Sequence, residues 1–126
     1  MKTILVVDGN EEVRQSMSRL LRQEYPETRV IAVPNGQEAV FLALYEELGV
    51  ILMGADMPIM NGYEAAHKLR HMPRTSQIPL VALTKEQDST SIASGLRRLC
   101  DAFLAPSPSG TQIRNMVATF AAQPSA

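Results

Sequence analysis

Short apolar runs recur along the chain with helix-like stretches between them, and this alternation limits the folds that the chain can adopt. Within each run the apolar residues are continuous, without the alternation of a half-exposed strand. Continuous runs are typical of strands covered on both faces, as in a parallel sheet. The runs predict strands at residues 4–7, 29–33, 50–53, 79–83 and 102–104.

The segments between the runs carry apolar residues at helical spacing. In the first segment, Val13, Met17 and Leu20 follow that spacing, and Asn10 precedes them as a good N-cap residue. The pattern predicts helices over residues 10–24, 37–48, 63–72, 89–100 and 113–120. Five strands that alternate with five helices predict an α/β fold, a (βα)5 doubly wound parallel sheet. In such a sheet the ligand crevice lies at the carboxyl ends of the strands.

Length and composition indicate one domain and exclude several classes of protein, among them membrane-spanning and disulfide-bonded proteins. The chain has 126 residues, which suits one domain, predicted over residues 1–122, followed by a tail or the start of a linker at residues 123–126. Twelve Lys and Arg against 13 Asp and Glu exclude a bulk electrostatic grip on nucleic acid or an anionic membrane. No apolar run approaches the roughly 20 residues of a membrane span. The single cysteine, Cys100, excludes an internal disulfide and suits a cytoplasmic location.

Several motifs at the predicted strand ends resemble the receiver domain of two-component response regulators. They are ILVVDGN at residues 4–10, Asn35-Gly36, MPIMNG at residues 57–62, IPLVALT at residues 78–84 and DAFLAP at residues 101–106. The resemblance covers the chain from Lys2 to about Phe120. It implies a flavodoxin-like topology with strand order 2-1-3-4-5.

A typical receiver transfers a phosphoryl group from a phosphohistidine to its own aspartate. By resemblance, the acceptor carboxylate ends the third strand, and two acids after the first strand hold Mg²⁺. A Thr or Ser after the fourth strand and a Lys after the fifth bind the phosphoryl oxygens.

This chain departs from the receiver pattern at three of those positions. Gly54 stands at the acceptor position, Gly9 at the second acidic position and Ala105 at the lysine position, while Asp8 and Thr84 match the family. The resemblance therefore implies no catalytic residue, no metal ligand set, and Mg²⁺ binding that is lost or weak. The three departures are linked, because clustered carboxylates need a metal or a lysine to offset their repulsion.

Three functional hypotheses remain. The leading one is a pseudo-receiver, not an enzyme, that acts as a phosphorylation-independent interaction module with a signalling partner such as a histidine kinase or an output protein. The first alternative is a phosphoaccepting receiver whose acceptor has moved to Asp56, two residues after Gly54. The second alternative is a small-molecule sensor that uses the vacated pocket.

Two further expectations concern contacts outside the acceptor position. Phe103 stands where receivers carry a switch aromatic, and we expect it to pack as a core aromatic. The face formed by helix 4, strand 5 and helix 5 is a candidate homodimer interface by resemblance. Leu99, where receivers have a glycine at the end of helix 4, argues against the usual dimer.

Two side-chain groups favour structural over functional interpretations. His67 and His71 have the spacing of a helical metal pair, but one helix alone supplies them, so we expect a solvated face. Cys100 has no nucleophile arrangement around it and is expected to pack as a small apolar residue.

Overall fold

Five strands and five helices alternate through residues 2–85 and 87–120, which the structure, a computed structural model, describes. The strands are β1 (Thr3–Val7), β2 (Val30–Val33), β3 (Leu48–Gly54), β4 (Leu80–Leu83) and β5 (Ala102–Leu104). The helices are α1 (Glu11–Glu24), α2 (Gly36–Tyr45), α3 (Gly62–His71), α4 (Ser91–Leu99) and α5 (Gly110–Phe120). The strands pair in parallel in the order β2-β1-β3-β4-β5, which confirms the predicted fold and strand order.

The central strands are buried on both faces, as their continuous apolar runs indicate. Every residue of β3 and β4 is buried, and so are the last four of β1. One core cluster packs α1 and α5 against one face of the sheet, with Met17, Leu21 and Ile113 at its centre. The other packs α2, α3 and α4 against the opposite face through Ala39, Leu69 and Leu96. No helix within the described residues is long and apolar enough to span a bilayer.

The predicted end of the second helix is wrong by three residues. Helix α2 ends at Tyr45, and Glu46 turns to an extended backbone while its N–H donates to the Leu42 carbonyl oxygen at 2.8 Å. Leu48, which was predicted to end the helix, instead begins β3 and pairs with Thr3. An apolar residue at this junction satisfies either pattern, so periodicity alone does not separate helix from strand there.

Helix α4 ends without a glycine in the left-handed region, as Leu99 led us to expect. Cys100 follows the helix with an extended backbone. The Leu99 carbonyl oxygen accepts a hydrogen bond from Arg70 Nε at 2.9 Å. A guanidinium from α3 therefore satisfies a terminal carbonyl that a glycine-based cap satisfies in other helices.

Candidate functional site

The carboxyl ends of four strands bring the predicted site residues together. Asp8 directly follows β1, Gly54 ends β3, Thr84 follows β4 and Ala105 follows β5. Val7 pairs with Met53, so Asp8 and Gly54 come next on neighbouring strands. The Thr84 N–H donates to the Leu104 carbonyl oxygen at 3.0 Å, which fixes β4 against β5 at the same edge.

The Asp8 carboxylate occupies the space that a side chain at position 54 would need. A Cβ atom placed on Gly54 would lie 2.7 Å from Asp8 Oδ2 and 3.1 Å from Asp8 Cγ. Real Cβ atoms almost never approach another heavy atom so closely. Gly54 therefore lacks an acceptor group, and the space next to its Cα is filled by the neighbouring acid.

Burial raises the pKa of the Asp8 carboxyl above its ordinary value of 3.8, because a charged carboxylate is poorly solvated there. Two weaker effects oppose this shift. The Asn10 backbone N–H donates to Asp8 Oδ1 at 2.8 Å, and the positive charge of Arg14 favours the ionised form. Arg14 Nη1 also donates to the Asp8 backbone carbonyl oxygen at 2.7 Å, which holds the end of β1 against α1.

Replacing Asp8 with asparagine is expected to stabilise the protein at neutral pH. The native state holds the Asp8 proton at pH values where the unfolded chain has released it. The contribution of Asp8 to stability is therefore full below the unfolded pKa and is lost as pH rises through the native pKa. Urea unfolding should give Asp8→Asn a larger free energy of unfolding than the wild type at neutral pH. This difference should shrink in acid. Asp56→Asn, which removes an exposed carboxylate, is the matched control.

Gly9 lies against the loop that joins β3 to α3. A Cβ atom on Gly9 would lie 3.3 Å from the Asp56 carbonyl oxygen and 3.3 Å from Pro58 Cδ. A carboxylate at position 9 would therefore start beside the Asp56 backbone oxygen. The Asp56 side chain itself is exposed.

The residues present do not fit the magnesium site that the resemblance implies. Mg²⁺ takes oxygen ligands in near-octahedral geometry and is usually held by one or two carboxylates with water and phosphate. Gly9 and Gly54 supply no side-chain oxygen, and Asp8 Oδ1 already accepts the Asn10 N–H. Within residues 2–85 and 87–120, no three His, Cys, Asp or Glu side chains are grouped so that they could hold a metal ion.

The Thr84 hydroxyl is bonded to a helix residue. Thr84 is 3% exposed, and its Oγ1 accepts a hydrogen bond from Arg97 Nη1 at 3.1 Å. Arg97 Nη2 donates to the Asp88 carbonyl oxygen in the loop between β4 and α4. One guanidinium thus connects α4 to the Thr84 hydroxyl and to the backbone of the loop that follows it.

Sequence reasoning missed Arg97, although a signal for it was present. Arg97 lies four residues after the buried Ala93 and next to the buried Leu96. An arginine on that side of an amphipathic helix faces the protein, where its guanidinium needs acceptors. The nearest acceptors in the fold are at the end of β4.

The structure also shows the burial of Phe103, of the two α3 histidines and of Cys100, whose environments were predicted from sequence. Phe103 is 49% exposed on β5, so the expectation that it packs in the core is wrong. The reason is that β5 is an edge strand of three residues, too short to be covered on both faces.

His67 and His71 are exposed on α3 with stacked rings 4.1 Å apart, which confirms a solvated face. Cys100 packs against the core, and burial raises the pKa of its thiol to about 12.

Comparison with known proteins extends the resemblance over most of the chain. Residues 4–118 match the family described as the response regulator receiver domain. Protein PilH of Pseudomonas aeruginosa is 31% identical over 98 residues, which cover 78% of this chain and 79% of PilH. A probable cyclic di-GMP phosphodiesterase of Vibrio cholerae is 34% identical over 82 residues, 65% of this chain but 18% of that protein. The chain thus spans under a fifth of the latter relative's length.

Solved structures share the fold. The receiver domain of the sensor histidine kinase PA1611 of Pseudomonas aeruginosa, with magnesium in its active-site cleft, aligns with a TM-score of 0.86 at 22% identity, covering 97% of this chain and 98% of that one. Chemotaxis protein CheY4 of Vibrio cholerae aligns with a TM-score of 0.80 at 22% identity, covering 95% of this chain and 98% of that one. The family match over residues 4–118 and this common fold show that the chain belongs to the response regulator receiver domain family, the signalling modules of two-component systems.

Proposed function

We propose that this receiver domain acts as a phosphorylation-independent interaction module in two-component signalling. The observation that carries the proposal is the occupation of the acceptor space by Asp8, whose Oδ2 lies 2.7 Å from a Cβ built on Gly54. Phosphoryl transfer needs a nucleophilic oxygen at that point. The Asp8 carboxylate that fills this space follows the neighbouring strand, is partly buried, and accepts the Asn10 N–H.

The contacts of Thr84 support the same proposal. In receivers this hydroxyl binds a phosphoryl oxygen, whereas here it accepts a hydrogen bond from Arg97. Ala105 supplies no ammonium group for an incoming phosphate. The loop after β4 is held instead by a side chain of the protein itself, because Arg97 also bonds the Asp88 carbonyl oxygen. These Arg97 contacts are present without a phosphoryl group, so a partner could bind α4 and Asp88 without prior phosphorylation.

Receiver domains interact with signalling partners such as histidine kinases or output proteins, and we propose a partner of that class. The face around β5 and α5 offers one contact surface. Phe103 is half exposed there and lines a cavity of 360 Å³ together with Met116 and Phe120. A second copy of the chain is a candidate partner for this face by family resemblance, but Leu99 at the end of α4 argues against the usual dimer geometry.

Treatment with acetyl phosphate and Mg²⁺ should leave the wild-type mass unchanged. A phosphorylated chain would gain about 80 Da. In parallel, amide NMR with beryllofluoride should show no shifts clustered at Asp8, Gly54 and Thr84. A receiver that retains its acceptor aspartate, treated in the same way, is the positive control.

A mass gain would contradict the proposal, and the variant Asp56→Asn then separates the remaining explanations. Loss of the adduct in that variant would establish Asp56, whose side chain is exposed, as a relocated acceptor. An adduct that persists in Asp56→Asn would point to another nucleophile. The sensor hypothesis is less favoured, because Asp8 fills the space beside Gly54.

A further inference from the structure

A groove lined by arginines separates α1 from the edge strand β2. The groove has a volume of 530 Å³, and Arg14, Arg19 and Arg22 of α1 line it together with Ala32 of β2. Ala32 is exposed although it lies within a strand. The small side chain leaves the floor of the groove open, and its volume falls in the range of about 300–1,000 Å³ that small-molecule sites have.

Two of the arginines are anchored at opposite ends of the groove. Arg14 Nη1 donates to the Asp8 carbonyl oxygen at 2.7 Å, and Arg22 Nη2 donates to the Val30 carbonyl oxygen at 3.3 Å. They lie eight positions apart on the helix, a rise of about 12 Å. Each contact uses one terminal nitrogen of a guanidinium that has five N–H donors. Arg19 lies between them and bonds to no other side chain or carbonyl in the described part of the chain.

The groove also contains a buried hydroxyl without a partner. Ser18 is 4% exposed, and within the described residues its Oγ has no hydrogen-bond partner. Buried hydroxyl groups are nearly always bonded, because leaving one unsatisfied costs about 1–3 kcal/mol. Ser18 lines the groove midway between Arg14 and Arg22. Its Oγ has almost no accessible surface, so a ligand oxygen satisfies it after a small shift of the side chain toward the groove.

The charge of the groove contrasts with that of the whole chain. Three guanidinium groups face one carboxylate, Glu11, whose Oε1 accepts a hydrogen bond from Gln15 at 3.2 Å. The full chain has a formal net charge of -1, so this positive excess is local. Guanidinium forks match phosphate oxygens in geometry and charge.

We propose that the groove between α1 and β2 binds a small organic phosphate of nucleotide size. Arg19 and Arg22 bind the phosphate groups, Arg14 borders the far end, and Ser18 contributes its hydroxyl. The volume and the 12 Å rise between the anchored arginines, about the length of a nucleotide, favour such a molecule over a single inorganic anion. This inference does not depend on how the receiver site itself functions.

The test titrates the full chain with ATP, pyrophosphate and sulfate and follows amide NMR shifts and the thermal midpoint. ATP should give saturable shifts in α1 and β2 and raise the midpoint by mass action, with sulfate at least tenfold weaker. Arg19→Ala should weaken ATP binding about tenfold, because a charge-assisted contact is lost. Its fold should be unaffected, since Arg19 bonds to no other described residue. Arg22→Ala should give a similar loss.

Arg74→Ala is the matched control, because Arg74 is exposed in the loop between α3 and β4, outside the groove. It should bind ATP as the wild type does. Equal weakening in Arg74→Ala, equal binding of sulfate and ATP, or shifts that do not saturate would each overturn the proposal. Any of these results would show nonspecific attraction to a positive surface.

Discussion

Restoring the three missing side chains should convert the protein into a magnesium-dependent phosphoacceptor. The variant Gly9→Asp/Gly54→Asp/Ala105→Lys is expected to take up about one phosphoryl group per chain from acetyl phosphate, a gain of about 80 Da, where the wild type takes up none. In this step a carboxylate oxygen at position 54 forms the new P–O bond as the bond to acetate breaks. Intact-mass measurement with and without Mg²⁺ checks the result.

The structure shows what the substitutions must change. A Cβ at position 54 would lie 2.7 Å from Asp8 Oδ2, so the Asp8 side chain has to rotate. Gly54 does not have a positive φ, so an aspartate there is not strained by its backbone conformation. The Cβ would also lie 3.2 Å from the Val7 carbonyl oxygen, so the end of β1 has to shift slightly as well. At position 9 the new Cβ would lie 3.3 Å from the Asp56 carbonyl oxygen, which a small loop shift relieves. The restored carboxylates then form a cluster that requires a cation.

The single variant Gly54→Asp separates the roles of the added groups. It places a second carboxylate next to Asp8 with no lysine and no further acid, so we expect lower stability at neutral pH than in acid, and little phosphorylation. In the triple variant, asparagine in place of aspartate at position 54 should abolish the adduct. An adduct that survives this change would place the phosphoryl group on another residue. Absence of the adduct from the triple variant would show that these three side chains are not sufficient for phosphorylation.

Replacing Arg70 with alanine should cost about 3 kcal/mol of unfolding free energy, since several acceptors lose a charged donor together. Arg70 Nε donates to the Leu99 carbonyl oxygen, and Nη1 donates to those of Ser76 and Ile78, each at 2.9 Å. Nη2 lies 3.0 Å from Asp101 Oδ2, and the Arg70 side chain is 20% exposed. Urea denaturation of both proteins measures the difference.

Two variants control for the loss of charge. Arg74→Ala removes an exposed arginine and should stay within about 0.5 kcal/mol of the wild type. Arg70→Lys keeps the charge but cannot reach acceptors in three directions, so it should recover only part of the loss. If Arg70→Ala were as stable as Arg74→Ala, the Arg70 contacts would not hold the end of α4.

The sheet was predictable because strands that are buried on both faces have continuous apolar runs in the sequence. Ile4 to Val7 and Val50 to Met53 are continuous apolar runs, and both lie in fully buried stretches of strand. The boundary near Leu48 was not predictable, since an apolar residue suits a helix end and a strand start equally well. Phe103 was misplaced although the predicted strand order puts β5 at the edge of the sheet, because strand order does not reveal how much of an edge strand is covered.

The site was predictable in composition but not in contacts. Family motifs put Asp8, Gly54 and Thr84 at neighbouring strand ends, and the structure brings them to one edge of the sheet. The Asp8 side chain lies in the space beside Gly54 because of its side-chain conformation. The spacing of residues in the sequence does not reveal that conformation. The bond from Arg97 to Thr84 joins residues 13 positions apart across two elements.

The bond from Arg97 to Thr84 has a consequence for how the protein could carry information. A phosphoryl group is added and removed, so the hydroxyl that binds it is occupied only while the domain is phosphorylated. A guanidinium built into a helix is present for as long as the fold persists. Under the proposed function, the Thr84 hydroxyl therefore has its partner as soon as the domain folds, without a phosphoryl donor.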